Sequence, residues 1–159
     1  KLLFLPCSYA KPYSNSRTHK AIINTLRDAG VRGRVHEVML SNAGVIPRKF
    51  EDKYPFESYD WNEKQETPEI KKRYIQVTCE RIKRYLSAHR DRFNQAYCYL
   101  KYESESYKAL QEACRMLDFG LRNLLEAKTC RENPGLRLYD TEALNDLEGN
   151  ARLLAENSM

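Results

Sequence analysis

Leu2-Leu3-Phe4-Leu5 contains no polar residue, which suits a short strand covered on both faces. The apolar periods that follow alternate between two spacings. Over residues 17–29, Ile22, Ile23, Leu26 and Ala29 share one side of a helix, with Ser16 as N-cap and Gly30 as the stop. Val35 to Leu40 reads as a second strand, ending at Ser41-Asn42-Ala43-Gly44. Residues 45–66 read as irregular and rich in aromatics, including Phe50, Tyr54, Phe56, Tyr59 and Trp61. A segment that long without regular structure is more often functional than filler. Pro68 is well placed to open a helix running to about residue 90, with Ile75, Cys79, Ile82 and Leu86 as its buried stripe. Ala96 to Leu100 reads as a third strand. Ser104 caps a helix carrying Tyr107, Leu110, Cys114 and Leu117. Residues 121–129 are ambiguous and are read as a fourth strand. Asp140 starts a last helix with Leu144, Leu147, Ala151 and Leu154.

Strands alternating with helices predict an α/β fold with a mostly parallel sheet covered on both faces. At 159 residues, 42% hydrophobic and 31% charged, the chain suits one globular domain over 1–159 and excludes a disordered chain, a collagen or a coiled coil. No apolar run approaches the roughly 20 residues that cross a bilayer, so no membrane partner is expected. Pro6-Cys7 ends the opening apolar run too early for a signal peptide. The chain opens on Lys1, so an initiator Met is expected to have been trimmed. Five cysteines, none in a CxxC pair, exclude an orderly disulfide framework and argue against a zinc site. A reducing cytoplasm is the expected compartment.

In a parallel sheet, ligands gather beyond the carboxyl ends of the strands. That rule selects Pro6-Cys7-Ser8, Ser41-Asn42-Ala43-Gly44 and Tyr102-Glu103-Ser104 as neighbours along one edge. The first is the richest. Between Pro6 and His19 the chain carries a thiol, an ammonium, phenols, several hydroxyls and an imidazole. A cysteine between a strand end and a helix start can have its thiolate stabilised by backbone N–H groups and the helix dipole. Lys11 adds a positive charge, and His19 falls in the helix's first turn, able to reach back to the loop. A thiolate beside an acid or base is what covalent catalysis needs. Taken singly, each of these residues has an ordinary structural reading; their concentration in one segment is what points to chemistry.

The run PC-x3-KPY-x2-S-x2-H, met by Pro6, Cys7, Lys11, Pro12, Tyr13, Ser16 and His19, resembles the catalytic domain of archaeosine synthase. Gly44-Val45-Ile46-Pro47-Arg48, Glu51, Tyr54-Pro55-Phe56 and Tyr59-Asp60-Trp61 also look like that family, so the likeness covers about residues 1–100. It implies a three-layer α/β/α sandwich, uracil-DNA-glycosylase-like in outline. It also implies a substrate, 7-cyano-7-deazaguanine already placed in a polynucleotide by a separate transglycosylase, which is a possible partner. Archaeosine synthase adds lysine to that nitrile in tRNA. Stand-alone relatives in bacterial DNA-modification clusters resemble hydratases that give the carboxamide in DNA. The chain has no room for the transglycosylase-like and RNA-binding modules of archaeosine synthase, which favours DNA as partner unless it is an excised domain.

Nitrile conversion needs a nucleophile, and Cys7 is the candidate, forming a thioimidate. His19 or Lys11 would protonate the imidate nitrogen, and water or lysine would then displace the thiol. No cofactor is called for, and no metal constellation is visible. Substrate contacts are expected from Pro12, Tyr13, Ser14 and Ser16 in the motif and from Asn42 and Gly44 at the second strand end. A carboxylate should read the guanine-like edge; Glu51, Asp60 and Glu103 are the candidates, Glu103 by strand-end placement and Asp60 by motif. Tyr13, Tyr59 or Trp61 should stack on the base, which must leave a duplex to reach Cys7.

Net charge is +5, with 19 Lys/Arg against 11 Asp/Glu over residues 1–92 and 8 against 11 over 93–159. The basic excess suggests a phosphate surface. Lys72, Lys83 and Arg90 fall within about 20° of one another on the long helix, with Arg73 and Arg84 on its outer side. A non-catalytic nucleic-acid-binding subunit is the alternative in a different class. A glycosylase-like hydrolase is the third, which the thiol cluster speaks against. His36 and His89 have no ligand-like neighbours and are read as structural.

Overall fold

The computed structural model describes residues 1–7, 13–41, 44–51, 67–93 and 95–155, and for Tyr13 the backbone alone. Among the described residues five strands form one sheet: β1 (Leu2–Leu5), β2 (His36–Ser41), β3 (Gly44–Pro47), β4 (Gln95–Cys98) and β5 (Gly120–Asn123). Their order is β3-β2-β1-β4-β5. β1 is parallel to β2 and β4, β4 is parallel to β5, and β3 is antiparallel to β2. The helices are α1 (Arg17–Asp28), α2 (Pro68–Ala88), α3 (Glu105–Met116), α4 (Ala127–Glu132), α5 (Thr141–Asn150) and α6 (Arg152–Ala155).

Strand pleating sends alternate residues to opposite faces, and both faces find apolar partners. Leu3, Leu5 and Met39 face α1 and α5, where they pack with Ile22, Leu26 and Leu147. Leu2, Phe4, Val38 and Leu40 face α2 and α3, where they meet Ile82, Leu86, Leu110 and Ala113. The result is a mostly parallel five-stranded sheet flanked by helices on both sides, as the strand–helix alternation predicts. Among the described residues no helix is long and apolar enough to cross a membrane.

Local signals set most boundaries. The Ser16 hydroxyl accepts from His19 N–H and starts α1. α1 closes with Gly30 at φ +72°, its N–H bonded to Arg27 C=O and Val31 N–H to Leu26 C=O. That pair of bonds needs a left-handed residue, which glycine supplies at least cost. Thr67 caps α2 through Ile70 N–H, with Pro68 in the first turn. Ser104 caps α3 through Tyr107 N–H.

α3 ends in the same way as α1, but with Asp118 in the left-handed position at φ +51°. Asp118 N–H bonds Arg115 C=O and Phe119 N–H bonds Cys114 C=O. An L residue is strained there, aspartate less than most. Asp118→Gly is therefore expected to stabilise the fold by about 0.5–1 kcal/mol, read as a higher urea midpoint with unchanged slope.

Four expectations are corrected. Residues 45–66 are not irregular throughout, because Gly44–Pro47 pairs with β2 in register Val38↔Pro47 to Ser41↔Gly44. Pro47 is tolerated because β3 is an edge strand. The strand expected over 121–129 spans Gly120–Asn123 and gives way to α4 at Ala127. Asn123 ends it: its side chain donates to Leu100 C=O and accepts from Leu125 N–H, replacing the ladder. The long helix stops at Ala88, short of residue 90. The last helix is broken at Ala151 into α5 and α6, and Asp140 uses its carboxylate on Arg137 N–H rather than on the helix.

Candidate active site

The strand order reverses direction at β1. From β1 the chain moves through α1 to β2 on one side, and later returns to β4 on the other. Helices on opposite faces leave a crevice at the carboxyl ends of such a strand pair. Cys7 stands at the carboxyl end of β1, two residues past it, and is exposed. The other four cysteines differ. Cys79, Cys98 and Cys114 are buried and Cys130 is half-buried. Burial pushes all four thiols up, Cys114 to about 12. Cys7 is thus the cysteine with access to a solute.

A buried polar cluster lies behind Cys7. His19, fully buried on α1, has Nε2 at 2.7 Å from Pro6 C=O, the carbonyl that precedes Cys7. Its Nδ1 lies 3.0 Å from Nη2 of Arg48. A guanidinium has no acceptor, so Arg48 donates, Nδ1 accepts, and the ring proton sits on Nε2 facing Pro6. Arg48 also holds Glu37 at 2.8 Å and Glu51 at 3.0 Å. Arg32 reaches the second Glu37 oxygen at 3.4 Å. Glu51 in turn accepts from Ser14 N–H at 3.1 Å. Side chains of Arg48, Glu37 and Glu51 are 12%, 5% and 12% exposed, so the pairing is largely out of water. The cluster fastens the ends of the segment between β1 and α1 to the β3 edge, through Pro6, Ser14 and α1 itself.

The structure separates the sequence-predicted residues. Lys11, Pro12, Asn42, Asp60, Tyr59 and Trp61 lie outside the described residues. Tyr13 opens a 3-10 turn ending at Asn15. Ser16 caps α1 with its hydroxyl, as its place before the helix predicts. Ser14 meets Glu51 through its backbone, and the Glu51 oxygen expected to read a base is taken by Ser14 and Arg48. Gly44 closes the β2–β3 turn at φ +138° with no heavy atom within 4 Å of where a Cβ would stand. Glu103 projects into solvent beyond β4, 3.3 Å from Lys101. A hydrogen bond from its own backbone N–H and the Lys101 ammonium hold its carboxyl below the usual range.

Glu37 and the role of Arg48 are absent from the sequence expectations. One signal was available: Glu37 is a lone carboxylate inside a strand otherwise read as apolar, and a buried charge requires a partner.

Of the basic set expected on the long helix, four residues lie on α2 and Arg90 lies past its end. Lys72, Arg73 and Arg84 are exposed. Lys83 is paired with Glu80 at 3.2 Å. Arg90 lies beyond the helix and donates to Leu117 C=O at the end of α3. His36 and His89, expected to be structural, both contact Tyr85. His36 Nε2 lies 2.7 Å from the Tyr85 hydroxyl, and its ring stacks on Phe93. His89 lies against Tyr85 with ring centroids 4.5 Å apart. Burial, then Lys49, holds His36 below its ordinary pKa. Among the described residues no group of three or more His, Cys, Asp or Glu could hold a metal ion.

An α/β domain with an exposed cysteine beyond the carboxyl end of β1, backed by a buried Arg–His–carboxylate cluster, is the class this geometry defines. Residues 1–132 match the family described as "Domain of unknown function (DUF5591)", and the chain belongs to that archaeosine synthase-like family. It is 42% identical over 59 residues to "Archaeosine synthase subunit alpha" of Thermoplasma acidophilum, covering 36% of this chain and 11% of that protein. It is 43% identical over 60 residues to the subunit of the same name from Methanosarcina acetivorans, covering 37% of this chain and 9% of that protein. To "Archaeosine synthase" of Haloferax volcanii it is 36% identical over 84 residues, covering 47% and 14%. The matched stretches thus span no more than 14% of these curated relatives. A crystal structure of AF0587, described as a protein of unknown function, shares the fold at TM-score 0.63 and 19% identity, covering 99% of this chain and 45% of that one.

Proposed function

We propose that this chain is the catalytic unit of a nucleic-acid-modifying enzyme, acting on the nitrile of 7-cyano-7-deazaguanine in a polynucleotide through a covalent thioimidate on Cys7. The observation that carries the reading is the exposed Cys7 beyond the carboxyl end of β1, with its preceding carbonyl held by His19. The archaeosine synthase names of the relatives support the substrate class.

In the reaction, the Cys7 thiolate adds to the nitrile carbon, a C–S bond forms, and the nitrile nitrogen takes a proton. An amine or water then adds to the same carbon. Collapse of the tetrahedral adduct breaks the C–S bond and returns the thiolate. Lysine as attacking group gives an amidine, and water gives the carboxamide. Lysine and tRNA are what the resemblance to archaeosine synthase implies. Hydration in DNA is the other outcome of the same first half-reaction, and the exposed thiol serves both.

His19 has both ring nitrogens engaged, so in this reading it positions the Cys7 loop and Lys11 delivers the proton. Glu103 and Asp60 are the carboxylates for the base edge, since Glu51 is occupied by Arg48. Pro12, Tyr13 and Asn42 remain substrate contacts of the proposal. Lys72, Arg73 and Arg84 are its phosphate contacts on α2. The parallel core of β1, β2 and β4 supports a uracil-DNA-glycosylase-like outline. The transglycosylase that inserts the base is the proposed partner, and the cytoplasm is the proposed compartment.

The test is incubation of the protein with tRNA or DNA carrying the cyano base, with and without lysine, followed by nucleoside mass spectrometry. Lysine adduct or carboxamide is the expected product. Stoichiometric binding of the polynucleotide with no product and no covalent adduct would identify a non-catalytic binding subunit instead.

A further inference from the structure

A cavity of about 570 Å³ opens at the start of β2, away from the carboxyl-end crevice. Arg27, Arg32, Arg48, Lys49, His36 and Glu37 contribute to its wall. Four permanent cations thus surround one carboxylate. Glu37 does not offset them all, because one of its oxygens is held by Arg48 and the other by Arg32. Arg48 is shared further with Glu51. Arg27 and Lys49 are exposed and have no acidic partner within salt-bridge distance among the described residues. Arg27 donates to the neutral Asn24 amide oxygen at 3.4 Å, and the Lys49 ammonium lies 5.1 Å over the Phe50 ring. The field in the cavity is therefore positive, and the lowered His36 pKa, depressed by burial and then by Lys49, agrees with it.

From this geometry we infer that the cavity is a phosphate-binding site that seats the backbone of the nucleic-acid substrate, at a distance from the reacting base. The inference deepens the proposed function and rests on it for the identity of the polynucleotide. Leu2 is level with His36 in the sheet, and Cys7 lies five residues further along. At about 3.3 Å per residue the cavity is roughly 16 Å from Cys7. Duplex DNA advances about 3.4 Å per phosphate along one strand, so the phosphate seated here is a few nucleotides from the flipped base. Arg48 joins the two places, lining the cavity on one side and holding His19 on the other. The α2 cations, spread along a helix and partly paired, make a weaker seat.

The experiment is fluorescence anisotropy of a labelled oligonucleotide that lacks any modified base, across a salt series. Arg27→Glu with Lys49→Glu is compared with Lys128→Glu and Arg131→Glu on α4, which changes net charge equally on two exposed residues. Circular dichroism and thermal melting confirm that both variants fold, and Arg27→Gln with Lys49→Gln is the milder companion. The expected result is affinity at least tenfold weaker in the cavity variant, with a shallower dependence on salt and the neutral pair in between. The control stays within threefold of the parent. Equal losses in both variants, or none in either, would overturn the inference. Tight binding of inorganic phosphate without binding of the oligonucleotide would overturn it too, leaving a free-ion site. Covalent modification of Cys7 by the free cyano base is read separately. Its loss with cavity-dependent binding intact would sink the proposed chemistry and leave this site standing.

Discussion

Cys7→Ser is expected to lower turnover of the cyano base by at least about a thousandfold, with the fold intact. Serine keeps the shape of the side chain, but an alkoxide is barely populated near neutral pH, whereas a thiol ionises readily. Cys7 is exposed beyond β1, so the change buries no group and opens no core cavity. Stability should therefore move by no more than about 0.5 kcal/mol, as for ordinary surface changes. Intact-protein mass spectrometry supplies the companion measurement. The wild type should gain the mass of one substrate moiety, and Cys7→Ser should not. Iodoacetamide gives a substrate-free version: one rapid alkylation in the folded wild type, since the other thiols are fully or partly buried and raised. A Cys7→Ser protein that retained full turnover would refute the covalent mechanism.

Arg48→Ala is expected to be the most destabilising change at a polar position, by about 3–5 kcal/mol. The cost comes from what is left behind. Glu37 and Glu51, each at least 88% buried by side chain, lose a guanidinium and keep their charge. His19 loses the donor that sets its tautomer. Against a total stability of roughly 5–15 kcal/mol for a domain, the loss is large. Arg48→Lys should recover only part, because a single ammonium cannot bridge Glu37, Glu51 and His19 at once. Adding Glu37→Gln to Arg48→Ala should recover some stability by removing a buried charge left with Arg32 alone, at 3.4 Å. Urea unfolding of the three variants reads the series. If Arg48→Ala cost less than about 1 kcal/mol, the cluster would be solvated in solution and its hold on the Cys7 loop would be lost as an explanation.

The helices were legible because their periods are long and their caps are explicit. α1, α2 and α3 each begin on a hydroxyl residue that bonds the third N–H along. The all-apolar β1 announced a parallel sheet covered on both sides, and with it the edge where Cys7 stands. β3 escaped because four residues ending in proline carry too little pattern to separate a strand from a loop. β5 was overextended because Leu124 and Leu125 continue its hydrophobicity while Asn123 has already turned the chain. The cluster escaped for a different reason. Glu37, Arg48 and His19 lie far apart in sequence, and only the β2–β3 register and the α1 packing bring them together. Arg48 and Glu51 were both visible in a family-like stretch, yet no local rule says that such residues face inward. Of the Cys7 segment, the thiol's exposure and the His19 contact with the loop follow from a strand end meeting a capped helix.

The two rims of the sheet are poor templates for another chain. At one rim β3 closes on Pro47, which has no N–H to offer an incoming strand. At the other, β5 is only four residues long and carries Arg122. A neighbour attempting to add itself edge-on would find few groups to pair with and a charge in its path. Concentrated solutions of this protein should accordingly resist fibril growth by strand addition.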